Sequence, residues 1–174
     1  FQVAEKNTGG HSAIASVVPQ WFTLPHQINA TLPNIVNNDA SYVIMRAVQF
    51  FLPGEPQVYY VGLFNGMDDR ELFEKTEQGR DVNRHHYTPQ EIEAALEQPV
   101  TQALIALARL RKHAAFEGEF SWQVTDESSI ELSWKNGSAS LVLAFDTKTS
   151  EFEIAVSDEG GSRVLHGIEG LSSY

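Results

Sequence analysis

Residues 39–62 read DASYVIMRAVQFFLPGEPQVYYVG, and this stretch decides the fold class. Asp39 stands where a helix cap belongs, and Ile44, Ala47, Val48 and Phe51 recur at the i, i+3, i+4, i+7 spacing of one buried helical stripe. Pro53-Gly54 stops that pattern, so a helix is expected over 40–52. Beyond the breaker, Val58-Tyr59-Tyr60-Val61 is β-branched and aromatic on both pleat faces and bounded by Pro56 and Gly62, as a strand buried on both sides would be. Helix, tight turn and buried strand form an α/β unit.

On the N-terminal side, residues 1–38 show no sustained period and carry Gly9-Gly10, Pro19, Pro25 and Pro33, so they read as irregular loop with one short turn over 12–18. A loop of that length is usually a lid or a binding loop, or part of a subdomain whose partner lies elsewhere. On the C-terminal side, residues 63–87 read as a second long loop with one helical turn near Leu72-Phe73. It is acidic at Asp68-Asp69 and basic at Arg80, Arg84, His85 and His86. Thr88-Pro89-Gln90-Glu91 is a capping box with proline at the first helical position. Pro99 predicts a break near Gln98 and a second helix to about residue 112, with Val100, Ala103, Leu104, Leu107 and Arg111 on its inner stripe.

From Glu119 the period changes to two. Phe120, Trp122 and Val124 alternate, then Ile130, Leu132 and Trp134, then Ala139, Leu141, Leu143 and Phe145, then Phe152, Ile154 and Val156. Lys135-Asn136-Gly137-Ser138 is a hairpin signal, because Asn-Gly tolerates the positive φ of a type I′ turn. Residues 119–170 are therefore expected to be an antiparallel sheet with one buried face. Trp122 and Trp134 fall on that face and read as core rather than as a sugar-stacking platform.

The 174 residues, 42% apolar and 20% charged, suit one globular domain or slightly more. Twelve Lys and Arg stand against 23 Asp and Glu, a formal charge of −11, which repels nucleic acid and anionic membranes. The chain has no cysteine, which excludes disulfides, thiol nucleophiles and thiolate-ligated metals, and fits a reducing cytoplasm. No apolar run approaches the length of a membrane span. The start at Phe1, inside a polar stretch, reads as a piece of a longer protein.

The polar cluster Gly79-Arg80-Asp81-Val82-Asn83-Arg84-His85-His86-Tyr87 follows the expected buried strand. Ligands of α/β folds gather at the carboxyl ends of strands, which makes this loop a candidate site. The alternative is that Arg80 and Arg84 pair with Asp81 and nearby glutamates to pin the loop. Adjacent His85-His86 make a poor metal site, because neighbouring side chains diverge and no third ligand stands at a suitable spacing. The Gln27 amide could read a sugar hydroxyl or merely stabilise a turn. The pairs Asp68-Asp69 and Glu91/Glu93 are read as solvent-facing rather than as an acid–base pair.

Taken together, residues 46–62 (RAVQFFLPGEPQVYYVG) and 79–87 (GRDVNRHHY) resemble the C-terminal part of sucrose phosphorylases, a subgroup of the α-amylase superfamily, glycoside hydrolase family 13. The resemblance runs from about Gln27 to Phe120 and more loosely to the end. It implies the C-terminal end of a (β/α)8 barrel followed by an antiparallel β-domain. Residues 1–38 would be the acceptor-side excursion, 39–116 the barrel end with its eighth strand at 56–61, and 117–174 the β-domain. The catalytic nucleophile and acid/base of the family lie on earlier strands, so the resemblance assigns no catalytic residue here and implies an inactive fragment.

What the resemblance does carry over is substrate binding. Arg80 matches the arginine that contacts the glucosyl ring, and Gln27 the glutamine of the acceptor loop. Where sucrose phosphorylases usually have an Asp-Leu-Tyr-Gln-like loop, this chain has Leu24-Pro25-His26-Gln27. His26 in that place resembles relatives acting on sucrose 6′-phosphate, in which a histidine helps hold the fructosyl phosphate, and a carboxylate there would repel the dianion. Relatives acting on glucosylglycerol or glucosylglycerate fit as well. The implied chemistry is retaining transfer of glucose from sucrose, or sucrose 6′-phosphate, to inorganic phosphate. These small molecules are the implied partners, with no cofactor, metal, nucleic acid or membrane, a cytoplasmic location and the oligomeric state left open. The rival readings are a carbohydrate-binding or interaction module carried by the β-sheet, and a hydrolase of the same superfamily.

Overall fold

The computed structural model describes His11–Ile14 and residues 25–174, with side chains from Ile28 onward. The chain divides into two compact units. One combines the described residues up to Asn38 with Tyr59–Ala95, and the other combines Asp39–Val58 with Leu96–Tyr174.

The first unit opens on a two-stranded antiparallel ribbon, β1 (His11–Ile14) and β2 (Pro25–Asn29), in which Ala13 pairs with Gln27. The sequence predicted irregular loop here. Pairing between segments so far apart leaves no local period to read, and the part of the expected turn beyond Ile14 lies outside the described residues. Short helices follow at Leu32–Val36, Tyr60–Leu63 and Arg70–Thr76, then a 3-10 turn at Gly79–Asn83 and the helix Pro89–Leu96.

The expected strand at 56–61 is not formed. Residues 56–59 have no regular structure, and Tyr60–Leu63 is a single helical turn. A strand buried on both faces needs neighbouring strands to take its backbone groups, and among the described residues none lies beside it. Tyr59 and Tyr60, expected inside, are 53% and 37% exposed.

In the second unit, the helices Asp39–Phe51 and Pro99–Leu110 pack on each other, close to the predicted bounds. Asp39–Phe51 also lies on a five-stranded antiparallel meander of β3 (Glu119–Val124), β4 (Ser129–Asn136), β5 (Ala139–Asp146), β6 (Phe152–Asp158) and β7 (Gly161–His166). A terminal helix, Gly167–Ser172, packs on Pro99–Leu110. Register converts the alternation of the sequence into rows across the sheet. Leu132, Leu143, Ile154 and Leu165 form one row and Trp134, Leu141 and Val156 the next, all buried. Full burial of one such side chain is worth about 1.5–3 kcal/mol.

Two expectations about this sheet need correction. Trp122 pairs with Leu132 on the core face, yet it is 66% exposed, because β3 is the edge strand and the covering elements do not reach its far end. Trp134 is the tryptophan that joins the core. The hairpin turn also differs from a type I′ Asn-Gly turn, since Asn136 pairs with Ala139 and the positive φ falls on Gly137 alone. That pattern is the one in which glycine occupies the first central position. The strand β7 had no clear signal, as Leu165 is its one buried side chain.

Candidate functional site

The first unit gathers the polar residues singled out by the sequence. Gly79–Asn83, the 3-10 turn that carries Arg80, lies beside both β1 and β2, and β2 carries His26 and Gln27. The approach is close enough that a Cβ on Gly79 would stand 2.6 Å from Asn29 Nδ2. The His26 and Gln27 side chains lie outside the described residues, so it is their backbone elements that are neighbours.

Arg80 is exposed, and among the described residues neither its guanidinium nor that of Arg84 makes a hydrogen bond or ion pair. Among the described residues these two arginines form none of the pairs with Asp81 or the glutamates that the loop-pinning alternative requires. The pins are acidic instead. Asp69 donates its backbone N–H to the Val82 carbonyl at 2.7 Å, and its carboxylate accepts from the Leu72 amide at 2.8 Å, capping the helix Arg70–Thr76. The other Asp69 oxygen meets His85 Nδ1 at 2.6 Å. Asp68 accepts from the Thr31 amide at 2.6 Å and the Asn34 amide group at 3.0 Å, tying residues 31–34 to the same corner. These two aspartates were expected to face solvent; both are partly buried and crosslink the loop.

His85 is held on its second nitrogen as well. Its Nε2 lies 3.3 Å from Glu91 Oε1, while Glu91 also closes the predicted capping box. In that box the Thr88 amide donates to Glu91 at 2.7 Å, and the Glu91 amide donates to Thr88 Oγ1 at 3.3 Å. Tyr60 donates its hydroxyl to the His85 carbonyl at 2.8 Å, and the Tyr87 ring meets the imidazole edge-on at 4.6 Å. Gly66 leaves room for the Tyr87 hydroxyl, which a side chain there would strike.

The electrostatics follow from this geometry. The hydrogen bond to Asp69, reinforced by Glu91 and opposed by burial, raises the His85 pKa above its ordinary value. Burial alone would raise the Asp69 carboxyl, but the Leu72 amide and His85 outweigh it and hold it low. For Asp68 burial prevails over its hydrogen bonds with Thr31 and its pKa rises. Glu91 is lowered, first by the Thr88 amide. A shallow hollow of about 420 Å³ opens against Asp68, Asp69, His85 and Tyr87. Among the described residues no group of three His, Asp or Glu side chains is placed to hold a metal ion. No helix among them is long and apolar enough to cross a membrane.

Sequence reasoning missed the Asp69–His85–Glu91 arrangement. One signal was present: Asp69 precedes a helical stretch by the spacing of a cap, and a capped helix there brings the carboxylate back toward the loop.

No family model matches the chain. It is 44% identical over 144 residues to a sucrose phosphorylase from Bifidobacterium adolescentis, a match covering 82% of this chain and 29% of the relative. It is 43% identical over 143 residues to a sucrose 6(F)-phosphate phosphorylase from Thermoanaerobacterium thermosaccharolyticum, covering 81% of this chain and 29% of that protein. The crystal structure of sucrose 6F-phosphate phosphorylase from Thermoanaerobacter thermosaccharolyticum superposes with a TM-score of 0.84 at 37% identity, over 94% of this chain and 33% of that one. The chain thus spans about a third or less of the proteins it matches. The sheet and helices described above correspond to the C-terminal part of that structure. The chain is homologous to the C-terminal portion of the sucrose phosphorylases and sucrose 6F-phosphate phosphorylases.

Proposed function

We propose that this chain is the C-terminal part of a retaining α-glucosyl phosphorylase that cleaves sucrose or sucrose 6′-phosphate with inorganic phosphate, giving α-glucose 1-phosphate. In this reading residues 1–38 form the acceptor-side excursion, 39–116 close a (β/α)8 barrel of the α-amylase superfamily, and 117–174 are the β-domain after the barrel. Arg80 binds the glucosyl ring, Gln27 the acceptor sugar, and His26 a fructosyl phosphate when one is present. The enzyme works in the cytoplasm.

One observation carries the reading most: the turn bearing Arg80, whose side chain has no partner among the described residues, lies against the strand bearing His26 and Gln27. An arginine side chain presents a planar fork of donors, which suits vicinal sugar hydroxyls. The experiment is phosphorolysis by the full-length protein, with glucose 1-phosphate measured from sucrose and from sucrose 6′-phosphate. Formation of glucose 1-phosphate, with turnover depressed about a hundredfold by Arg80→Lys, is expected, since a point charge cannot reproduce two divergent hydrogen bonds. Release of free glucose would make the protein a hydrolase, and near-normal turnover of the lysine variant would remove Arg80 from the site.

The exposure of Trp122 favours one other reading, a sugar-stacking module on the β-sheet. Calorimetry of the chain with sucrose separates the two. Heat of binding that Trp122→Ala abolishes supports the module, and silence supports a partial barrel.

A further inference from the structure

We infer that His85 is a positioning residue for the proposed sugar site: clamped between Asp69 and Glu91, it sets the direction in which the backbone turn presents Arg80. The inference rests on the phosphorylase reading.

The Arg80 guanidinium is carried on the backbone of Gly79–Asn83, and among the described residues no side chain steers it. That backbone has few anchors of its own. Val82 is buried, at 2% exposure, and its carbonyl accepts from the Asp69 amide at 2.7 Å. Arg84 closes the turn by donating its amide to the Asp81 carbonyl at 3.1 Å. The next residue is His85, whose ring joins the turn to the same Asp69 at 2.6 Å and to Glu91 at 3.3 Å. Asp69 therefore grips the segment at two points, residues 82 and 85, and only the second depends on a side chain that can be replaced.

Each partner is itself immobilised: Asp69 caps Arg70–Thr76, and Glu91 is locked in its capping box. The Tyr60 hydroxyl on the His85 carbonyl and the Tyr87 ring against the imidazole leave the side chain little freedom. Two carboxylates can only accept, so both ring nitrogens must donate, and the clamp is complete when His85 carries two protons. The other ionisable groups around it are His86, near Asp69, and Asp68, Arg70 and Glu71, which line the adjoining hollow.

His85→Gln, which keeps one donor, and Glu91→Gln, which keeps the length of the partner, test this from two sides. Amide hydrogen exchange on the chain reads the clamp without any need for activity. Exchange of Asp81, Val82 and Arg84 is expected to quicken about tenfold or more in His85→Gln at pH 6, and unchanged protection overturns the inference whatever the enzyme does. In the full-length protein, kcat/KM for phosphorolysis is expected to fall about tenfold or more in both variants. The wild-type decline in rate as pH rises through the His85 titration should vanish in His85→Gln, a change that a merely structural role would not produce. Wild-type rates and an unaltered pH profile, with Arg80→Lys impaired, overturn the positioning role alone. Absence of any phosphorolysis by the wild type overturns the phosphorylase reading, and exchange still decides the clamp.

Discussion

The Trp134 indole donates its N–H to the Phe51 carbonyl at 2.6 Å, joining the middle of the β-sheet to the last turn of the helix Asp39–Phe51. The carbonyl belongs to a helix end, where intrahelical donors run out, and the indole supplies one inside the core. Phe116 packs against both rings, 5.5 Å from each, and Arg111 lies over Phe116 at 4.2 Å while donating to the Gly54 carbonyl at 2.7 Å. Trp134→Phe keeps most of the apolar contact and orphans the carbonyl. It is expected to destabilise the chain by about 1–3 kcal/mol, read as a lower urea midpoint with an unchanged slope.

Legibility in the sequence followed locality. The helices at 39–51, 89–96 and 99–110 and the first four strands of the sheet were readable because their caps, breakers and apolar spacing are written within a dozen residues. The ribbon of β1 and β2 was not, since its partners are distant and its register leaves no local mark. The apolar run Val58–Val61 misled for the opposite reason: its composition is that of a buried strand, whereas forming one requires neighbouring strands, and none lies beside it among the described residues. Arg80 and Gln27 stood out as polar residues of two loops, and their sugar-binding roles came from resemblance. The Asp69–His85 pair left no mark in the sequence, because a loop folding back on a helix cap brings together residues 16 apart with no period between them.

The Asp69–His85 pair should hold the first unit more tightly at mildly acidic pH than at alkaline or strongly acidic pH. His85 has a raised pKa in the folded chain, so its contribution is fully present below its unfolded value of about 6.5 and is lost as pH rises through the folded value. Asp69 is lowered, so its contribution is present above about 3.9 and is lost as pH falls through its folded value. The pair therefore stabilises most between those limits. Protection of the amides around Val82 is expected to be greater at pH 6 than at pH 9 after correction for intrinsic exchange, and that difference should disappear in His85→Gln.

Trp122 and Trp134 share a sheet face and differ in what covers them, so equivalent changes should have unequal effects. Trp122→Ser removes an exposed ring from an edge strand and is expected to shift stability by about 0.5 kcal/mol or less. Leu143→Ala, on the same row as Trp122 and fully buried, is expected to cost about 2–5 kcal/mol. Paired urea melts of the two variants give the comparison, and a large loss in Trp122→Ser would mean that this end of the sheet is covered in solution.

Gly79 tests the contact on which the proposed site depends. Its φ is not in the left-handed region, so alanine meets no backbone penalty there, and any effect comes from space. The added methyl would stand 2.6 Å from Asn29 Nδ2, and Asn29 is buried, at 5% exposure, with bonds of its own to keep. Either the Asn29 amide gives up its place and its bonds, or β2 or the Arg80 turn shifts. Gly79→Ala is expected to cost about 1–3 kcal/mol and to move the backbone amide resonances of both Ile28-Asn29 and Arg80-Asp81, while those of the β3–β7 sheet stay in place. If only the melt changes and the two segments keep their resonances, the strand and the turn are not in contact in solution. Arg80 would then stand apart from the acceptor strand.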